Sequence, residues 1–260
     1  NRALLVNTAE LNTAVGSLCM FSNTTGTQNV AVGQAAMYAN TTASYCTAVG
    51  RYALRLNTTG GSNTAVGNQA LDANTTGASN TAMGVNALGA NTTADNNVAF
   101  GDQALAGNTT GTGNVAVGHD TLEANTTASY NVAIGLEALK LNTTGTSNTA
   151  VGAYALDAAT TVNDNTAIGT NTLSATTGGK NTAVGASALQ NNTTATANVG
   201  VGYIALYLNT TGTYNTAVGS YALDACTTGG GNTALGTNTL SAVTTTSENT
   251  AIGHNAGAAI

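Results

Sequence analysis

Apolar and polar positions recur along this chain with a fixed period of seventeen residues. A glycine marks every period, at positions 16, 33, 50, 67, 84, 101, 118, 135, 152, 169, 185, 202, 219, 236 and 253, and only the step from Gly169 to Gly185 has sixteen residues. Each unit reads roughly Asn-Thr/Val-Ala-Val-Gly-x-x-Ala-Leu-x-x-Asn-Thr-Thr-Gly/Ala-x-x. Such a period predicts a stack of similar supersecondary units in which each unit contacts its neighbours.

The apolar positions within a unit lack the helical period of 3.6. They form short alternating runs between Gly and Asn-Thr-Thr-Gly turns, which is typical of strands. We expect two short strands and two turns per unit, with identical strands stacked parallel and in register about 4.7–4.9 Å apart. The sequence therefore predicts an all-β fold, a parallel β-solenoid or β-roll of about fifteen 17-residue coils, as a single repeat array over residues 1–260.

The predicted core depends on which strand residues point inward. The fourth position of the first strand is always apolar and is expected to point into the core, together with the Leu or Met of the second strand. Alanine at the third position, as in Ala116 and Ala133, would then lie on the opposite face. Its uniformly small size predicts close packing against partner chains around a threefold or other cyclic axis. The alternative is that alanine fits a tight bend within a single-chain coil.

Two asparagine columns, each formed by the residues at one repeat position in successive coils, are candidates for special roles. Stacked amides form hydrogen-bond ladders in parallel arrays, so the column that opens the first strand is interpreted as a structural ladder. Its members include Asn12, Asn29, Asn63, Asn80, Asn97, Asn114 and Asn131. The second column carries Asn-Thr-Thr, which is an N-glycosylation acceptor motif but also an ordinary turn sequence. Glycan attachment is a hypothesis for Asn23, Asn40, Asn57, Asn74, Asn91, Asn108, Asn125, Asn142, Asn192 and Asn209.

The strand Asn63-Thr64-Ala65-Val66-Gly67, followed by Ala70-Leu71, resembles the repeats in the head of trimeric autotransporter adhesins and in the shafts of related phage tail fibres. The resemblance covers all the units, although the coils of those families are commonly somewhat shorter and lack the Asn-Thr-Thr turn. It implies a left-handed parallel β-roll trimer that is exposed outside a cell or on a virion.

Composition argues against several other functions. Five basic and eleven acidic residues give a net charge of −6 without a basic cluster, so neither nucleic acid nor an anionic membrane is an expected partner. The apolar runs are too short for membrane insertion. Cys19, Cys46 and Cys226 occupy three different repeat positions and indicate no disulfide or metal site. We find no catalytic, metal or cofactor motif, and therefore expect a protein that is not an enzyme.

The sequence thus predicts a structural extracellular fibre, or an adhesin or tail-fibre shaft. Neither end has a convincing cap, so we expect further sequence or end-to-end filaments. Tyr203, Tyr207, Tyr214 and Tyr221 could bind a cell-surface or glycan receptor. Alternatives are a heavily glycosylated fibril and an ice- or surface-binding solenoid, but the adjacent threonines of each turn would point in different directions, whereas a flat array needs alternate residues.

Overall fold

One short strand recurs in every coil. The structure, a computed structural model, describes residues 3–4 and 6–258, and these contain fifteen strands and no helix. The strands are β1 (Thr13–Val15), β2 (Val30–Val32), β3 (Thr47–Val49), β4 (Thr64–Val66), β5 (Thr81–Met83), β6 (Val98–Phe100), β7 (Val115–Val117), β8 (Val132–Ile134), β9 (Thr149–Val151), β10 (Thr166–Ile168), β11 (Thr182–Val184), β12 (Val199–Val201), β13 (Thr216–Val218), β14 (Thr233–Leu235) and β15 (Thr250–Ile252).

The coils group into two compact units, of which the first ends at Tyr130 and the second begins at Asn131. The first unit contains β1 to β7 and the second contains β8 to β15. Within each unit every strand pairs in parallel with the next, without a register shift, so that Ala65 of β4 faces Ala82 of β5. The in-register pairing persists across the sixteen-residue step, where Ala167 faces Ala183. The predicted parallel β-solenoid is confirmed.

The prediction of a second strand in each coil is wrong. The segment from Gly67 to Ala73 is formed by turns and bends, in which Gln69 has φ 60° and Leu71 has φ 51°. Two left-handed residues separated by one position curl the backbone and are incompatible with an extended strand. The Leu or Met of this segment is nevertheless buried, as predicted, with an exposed fraction of at most 1% from Met20 to Leu240.

The predicted orientation of the strand is also wrong. Every alanine of the third position from Ala31 to Ala234 is 0% exposed, whereas the fourth-position residue is half-buried or exposed in every coil. The alanine column therefore lines the inside of a single coil, and the apolar side chains of the fourth position point outward. Alanine is consequently not the oligomer surface, and its small size reflects a tight single-chain coil.

The space inside the coil explains this inversion. At Gly200, which replaces alanine in its column, an added Cβ would lie 3.3 Å from Leu189 Cδ1 and 3.4 Å from the Ala205 carbonyl oxygen. A methyl group thus fills the room between the strand and the buried leucine, and a valine there would overpack it. Large apolar side chains at the flanking strand positions must point to the outer face, because successive side chains alternate.

The glycine that sets the period lies where the strand ends and the backbones of adjacent coils approach closely. Gly84 has φ 144°, and a Cβ at this position would lie only 2.2 Å from the Gly101 carbonyl oxygen of the next coil. No side chain can be accommodated there without displacing backbone, and the φ value itself favours glycine. This stacking requires a glycine at the same place in each coil that another coil follows, whereas nothing lies within 4 Å of a Cβ at Gly253 in the last coil.

Candidate functional site

The outer face of the strands presents apolar side chains to solvent in each of the two compact units. Two side chains per strand project from this face. They are the Thr or Val at the first residue of the strand, which is the second position of the repeat, and the large apolar residue at its third, which is the fourth position of the repeat. None of the residues in these two columns is charged, and none is fully buried. The fourth-position residue is 53% exposed at Phe100, 40% at Ile134 and 46% at Leu235. A face of this kind is normally covered by another protein or a ligand.

The asparagines that open the strands form an interior ladder that one coil interrupts. The Asn63 Oδ1 atom accepts hydrogen bonds from the backbone N–H of Asn80 at 2.9 Å and from its Nδ2 at 3.2 Å. The Asn80 Nδ2 also donates to the Ala94 carbonyl oxygen at 2.8 Å. Asn97 repeats this arrangement on Asn80. Cys46 interrupts the column, and its thiol donates to the Gly60 carbonyl oxygen at 3.4 Å.

The asparagines of the Asn-Thr-Thr turns also point inward. All ten candidate glycan acceptors are 0% exposed. Asn74 is representative, because its Nδ2 donates to Asn57 Oδ1 at 2.8 Å and to the Gly77 carbonyl oxygen at 2.9 Å. Both protons of the nitrogen that would carry a glycan are therefore engaged in the interior. This placement is at odds with the glycan hypothesis for the folded coil, since the motif required these side chains to be exposed.

The two threonines of each turn have different roles. The first donates its hydroxyl to the backbone of the next coil, as Thr75 Oγ1 does to the Thr92 carbonyl oxygen at 3.0 Å. The second, as in Thr76, is exposed. The turn therefore presents one free threonine column rather than a double array.

The four candidate tyrosines do not form one site. Tyr203 and Tyr221 make an edge-to-face contact with ring centroids 5.5 Å apart, while Tyr207 is half-buried. Tyr214 lies apart from them, 71% exposed, at the wall of an open groove. The structure therefore separates a tyrosine pair from a single tyrosine in a groove.

Ionisable side chains are few, and most lie at the surface, although Asp120 is only 7% exposed. Arg55 pairs with Asp72 of the next coil at 2.8 Å and lies over the Tyr52 ring. Burial raises the pKa of the Asp72 carboxyl, and the Arg55 charge partly offsets this effect. His119 Nδ1 lies 3.4 Å from Asp120 Oδ1. Each contact keeps one partner at least partly exposed to solvent, and ion pairs of this kind usually contribute little to stability.

The cysteines are buried thiols rather than reactive groups. Cys19, Cys46 and Cys226 are all free, and burial raises the pKa of the Cys19 thiol to about 11. A thiol with a raised pKa is a poor nucleophile at neutral pH. Within the described residues, no three His, Cys, Asp or Glu side chains come together as a possible metal site.

Comparison with other proteins gave no match to a protein family, a curated protein or a solved structure. In the part of the chain that the structure describes, no helix has the length and apolarity needed to span a bilayer.

The outer strand face was missed at the sequence level, although the pattern contains a signal for it. The fourth position accepts Val66, Met83, Phe100 and Leu235, whose volumes differ greatly. A closely packed interior does not tolerate such changes in volume, whereas the alanine column is nearly invariant. The invariant small column therefore indicates the inside, and the variable large column indicates the outside.

Proposed function

We propose that this chain is a non-enzymatic structural shaft that assembles with copies of itself through the outer face of its strands. The observation that carries the proposal is the pair of uncharged columns on that face. Charged residues are depleted at the centre of protein interfaces, and here both columns lack them in all fifteen strands. A second copy offers the same chemistry at the same spacing.

The size of the face supports self-association. A three-residue strand is about 10 Å long and neighbouring strands are about 4.8 Å apart. The seven strands of the first unit therefore present roughly 340 Å² and the eight of the second roughly 380 Å², which together make about 700 Å² per copy. Stable protein interfaces bury about 800 Å² per partner. Three copies around one axis would cover this face on each copy, and the resemblance to trimeric autotransporter heads and phage fibre shafts favours that symmetry. The same resemblance is the basis for proposing an extracellular or virion location.

Native mass compared with denatured mass tests the assembly. We expect a native mass that is a small multiple of the chain mass, with three copies as the favoured value. A native mass equal to one chain at micromolar concentration would contradict the proposal. A denatured mass equal to that of the bare chain would at the same time eliminate glycans.

Charged substitutions on the outer strand face test whether the assembly interface lies there. A triple substitution to lysine in neighbouring strands should dissociate the assembly while preserving the far-UV circular dichroism spectrum, because three charges per copy would be buried without partners. The substituted residues are Val184, Val201 and Val218. The matched control places three lysines on the exposed threonine column of the same coils, at Thr194, Thr211 and Thr228, and should retain the native mass. Retention of the assembly in the first variant would refute the assigned face.

Ice binding is a second candidate function, favoured by one specific observation. Alternate strand residues, such as Thr64 and Val66, point outward together and recur in every coil. This arrangement supplies the regular array of alternate residues that the turn threonines do not provide. If the native mass is that of one chain, thermal hysteresis that is lost in the Val184, Val201 and Val218 lysine variant would favour this function. Absence of thermal hysteresis would rule it out.

A further inference from the structure

The sixteen-residue coil leaves a gap in the surface of the second unit. Thr176 occupies the ladder position that Asn192 holds in the next coil and Ala159 in the preceding one, and its hydroxyl accepts a hydrogen bond from Asn192 Nδ2 at 2.9 Å. It reaches the Gly178 backbone two residues on, whereas Asn192 bonds to Ala195 three residues on. The missing residue is therefore the second, exposed threonine of the turn, and only Thr177 remains.

The preceding coil lacks one inter-coil backbone hydrogen bond at this gap. In most regular coils the amide of the second threonine donates to the next coil, as Thr144 does to Thr160 at 3.3 Å. Within the described chain, the Thr161 amide makes no corresponding backbone bond to Thr177.

A groove of about 560 Å³ opens at this place. Its walls include Thr161, Asn163 and Asp164 from one side, Lys180 from the short coil, and Tyr214 from two coils further on. All of them belong to the second unit. The volume lies within the range of small-molecule sites, about 300–1,000 Å³.

The lining of the groove combines one exposed tyrosine ring with polar side chains that can donate or accept hydrogen bonds. Tyr214 exposes 71% of its surface. Asn163 is held in place because its Oδ1 accepts from the Thr146 backbone N–H at 2.7 Å, which leaves its amide hydrogens as donors. Asp164 and Lys180 are both exposed, and no ion pair within 4.0 Å joins them in the described structure. Acceptors and donors are therefore both available beside one aromatic ring.

We propose that this groove binds a neutral saccharide. The C–H face of a sugar ring can pack on the apolar face of Tyr214, while its hydroxyls meet the Asp164 carboxylate, the Lys180 ammonium and the Asn163 amide. One carboxylate beside one ammonium leaves no net charge, which favours a neutral ligand over an acidic one. The proposal does not depend on whether the solenoid assembles through its outer strand face.

A glycan array tests the groove. The probes are neutral oligosaccharides of galactose, glucose, N-acetylglucosamine and fucose, printed beside sialylated and sulfated ones. We expect binding to neutral probes, with affinity for the strongest measured by titration calorimetry. Absence of binding to every probe, or binding to the acidic probes alone, would overturn the proposal.

Two variants locate the binding. Tyr214→Ala should weaken affinity by about tenfold or more, because the stacking surface is removed. Insertion of one threonine after Thr177 restores the seventeen-residue coil, fills the gap and should abolish binding. The matched control is Tyr45→Ala, since Tyr45 has the same repeat position and is 63% exposed between regular coils. Unchanged affinity in either of the first two variants, with the melting temperature preserved, would place the binding elsewhere.

Discussion

Replacement of Asn74 by leucine removes one member of an interior amide ladder without creating a large cavity. Asn74 Nδ2 donates to Asn57 Oδ1 at 2.8 Å, and Asn74 Oδ1 accepts from Asn91 Nδ2 at 2.8 Å. The Gly77 carbonyl oxygen also loses the Asn74 donor but keeps a hydrogen bond from Asn63 Nδ2 at 2.7 Å. The substitution therefore leaves one buried acceptor, on Asn57, and one buried N–H, on Asn91, without partners.

The cost follows from these two orphaned groups. A buried donor or acceptor without a partner costs about 1–3 kcal/mol, so Asn74→Leu should reduce the free energy of unfolding by roughly 2–6 kcal/mol. Asn74→Thr should cost less, because Thr176 already shows that a hydroxyl can occupy the ladder and accept from the next asparagine. The expected order of stability is wild type, then Asn74→Thr, then Asn74→Leu.

Urea unfolding followed by far-UV circular dichroism measures the effect. The matched control is Thr76→Ala, which changes only an exposed side chain in the same turn and should shift the unfolding free energy by less than about 0.5 kcal/mol. Thr76→Ala also destroys the glycan acceptor motif at Asn74 while leaving the ladder intact. An Asn74→Leu variant within about 1 kcal/mol of wild type would refute the ladder argument.

Three further predictions concern other positions. Ala65→Leu should lower the free energy of unfolding by about 1–3 kcal/mol because the coil interior is filled, whereas Val66→Leu on the outer face should change it by less than about 0.5 kcal/mol once the assembly is dissociated. Both substitutions are therefore made in the dissociated Val184, Val201 and Val218 lysine variant, where equal effects in chemical denaturation would contradict the assigned orientation. Ile204 is a β-branched residue at φ 60°, and Ile204→Asn should raise the thermal midpoint because asparagine tolerates this conformation; a lower midpoint would argue against strain there. Burial, with a contribution from the Glu137 charge, raises the pKa of the Asp157 carboxyl above its ordinary 3.8. The charged form therefore destabilises the fold as pH rises through that pKa, so Asp157→Asn should be stabilising at pH 7 and neutral below pH 3.8, in denaturation curves collected across pH; an equal gain at both pH values would exclude titration of Asp157 as the cause.

The regular recurrence of glycine and asparagine was sufficient to predict stacked parallel coils, because residues such as Gly84 and Asn80 have the same physical role as their counterparts in other coils. Which strand side chains face the interior could not be predicted by assuming that valine is buried. Many apolar side chains remain exposed in folded proteins, and the cross-section of the coil decides which residue fits inside. That cross-section depends on the left-handed turns at Gln69 and Leu71, which no periodicity of apolar residues reveals.

The groove beside Tyr214 was only partly predictable. The sixteen-residue step and the tyrosine are both visible in the sequence, but they lie about 40 residues apart and meet only because of the stacking. The tyrosine cluster itself was misleading, since Tyr203 and Tyr221 contact each other and not Tyr214. Proximity along the chain is a poor guide when neighbours in space are one period apart.

The coil-to-coil hydrogen bonds have a consequence for how the chain folds. The characteristic bond joins residues 17 apart, as between Asn74 and Asn57, in a chain of 260 residues. The ratio of these values gives a relative contact order of about 0.07, a value found in rapidly folding helical bundles rather than in other all-β proteins. Each new coil can form its hydrogen bonds to the preceding coil as soon as that coil has folded. The chain can therefore acquire its structure progressively as it emerges from a ribosome, before its C-terminal coils have been synthesised.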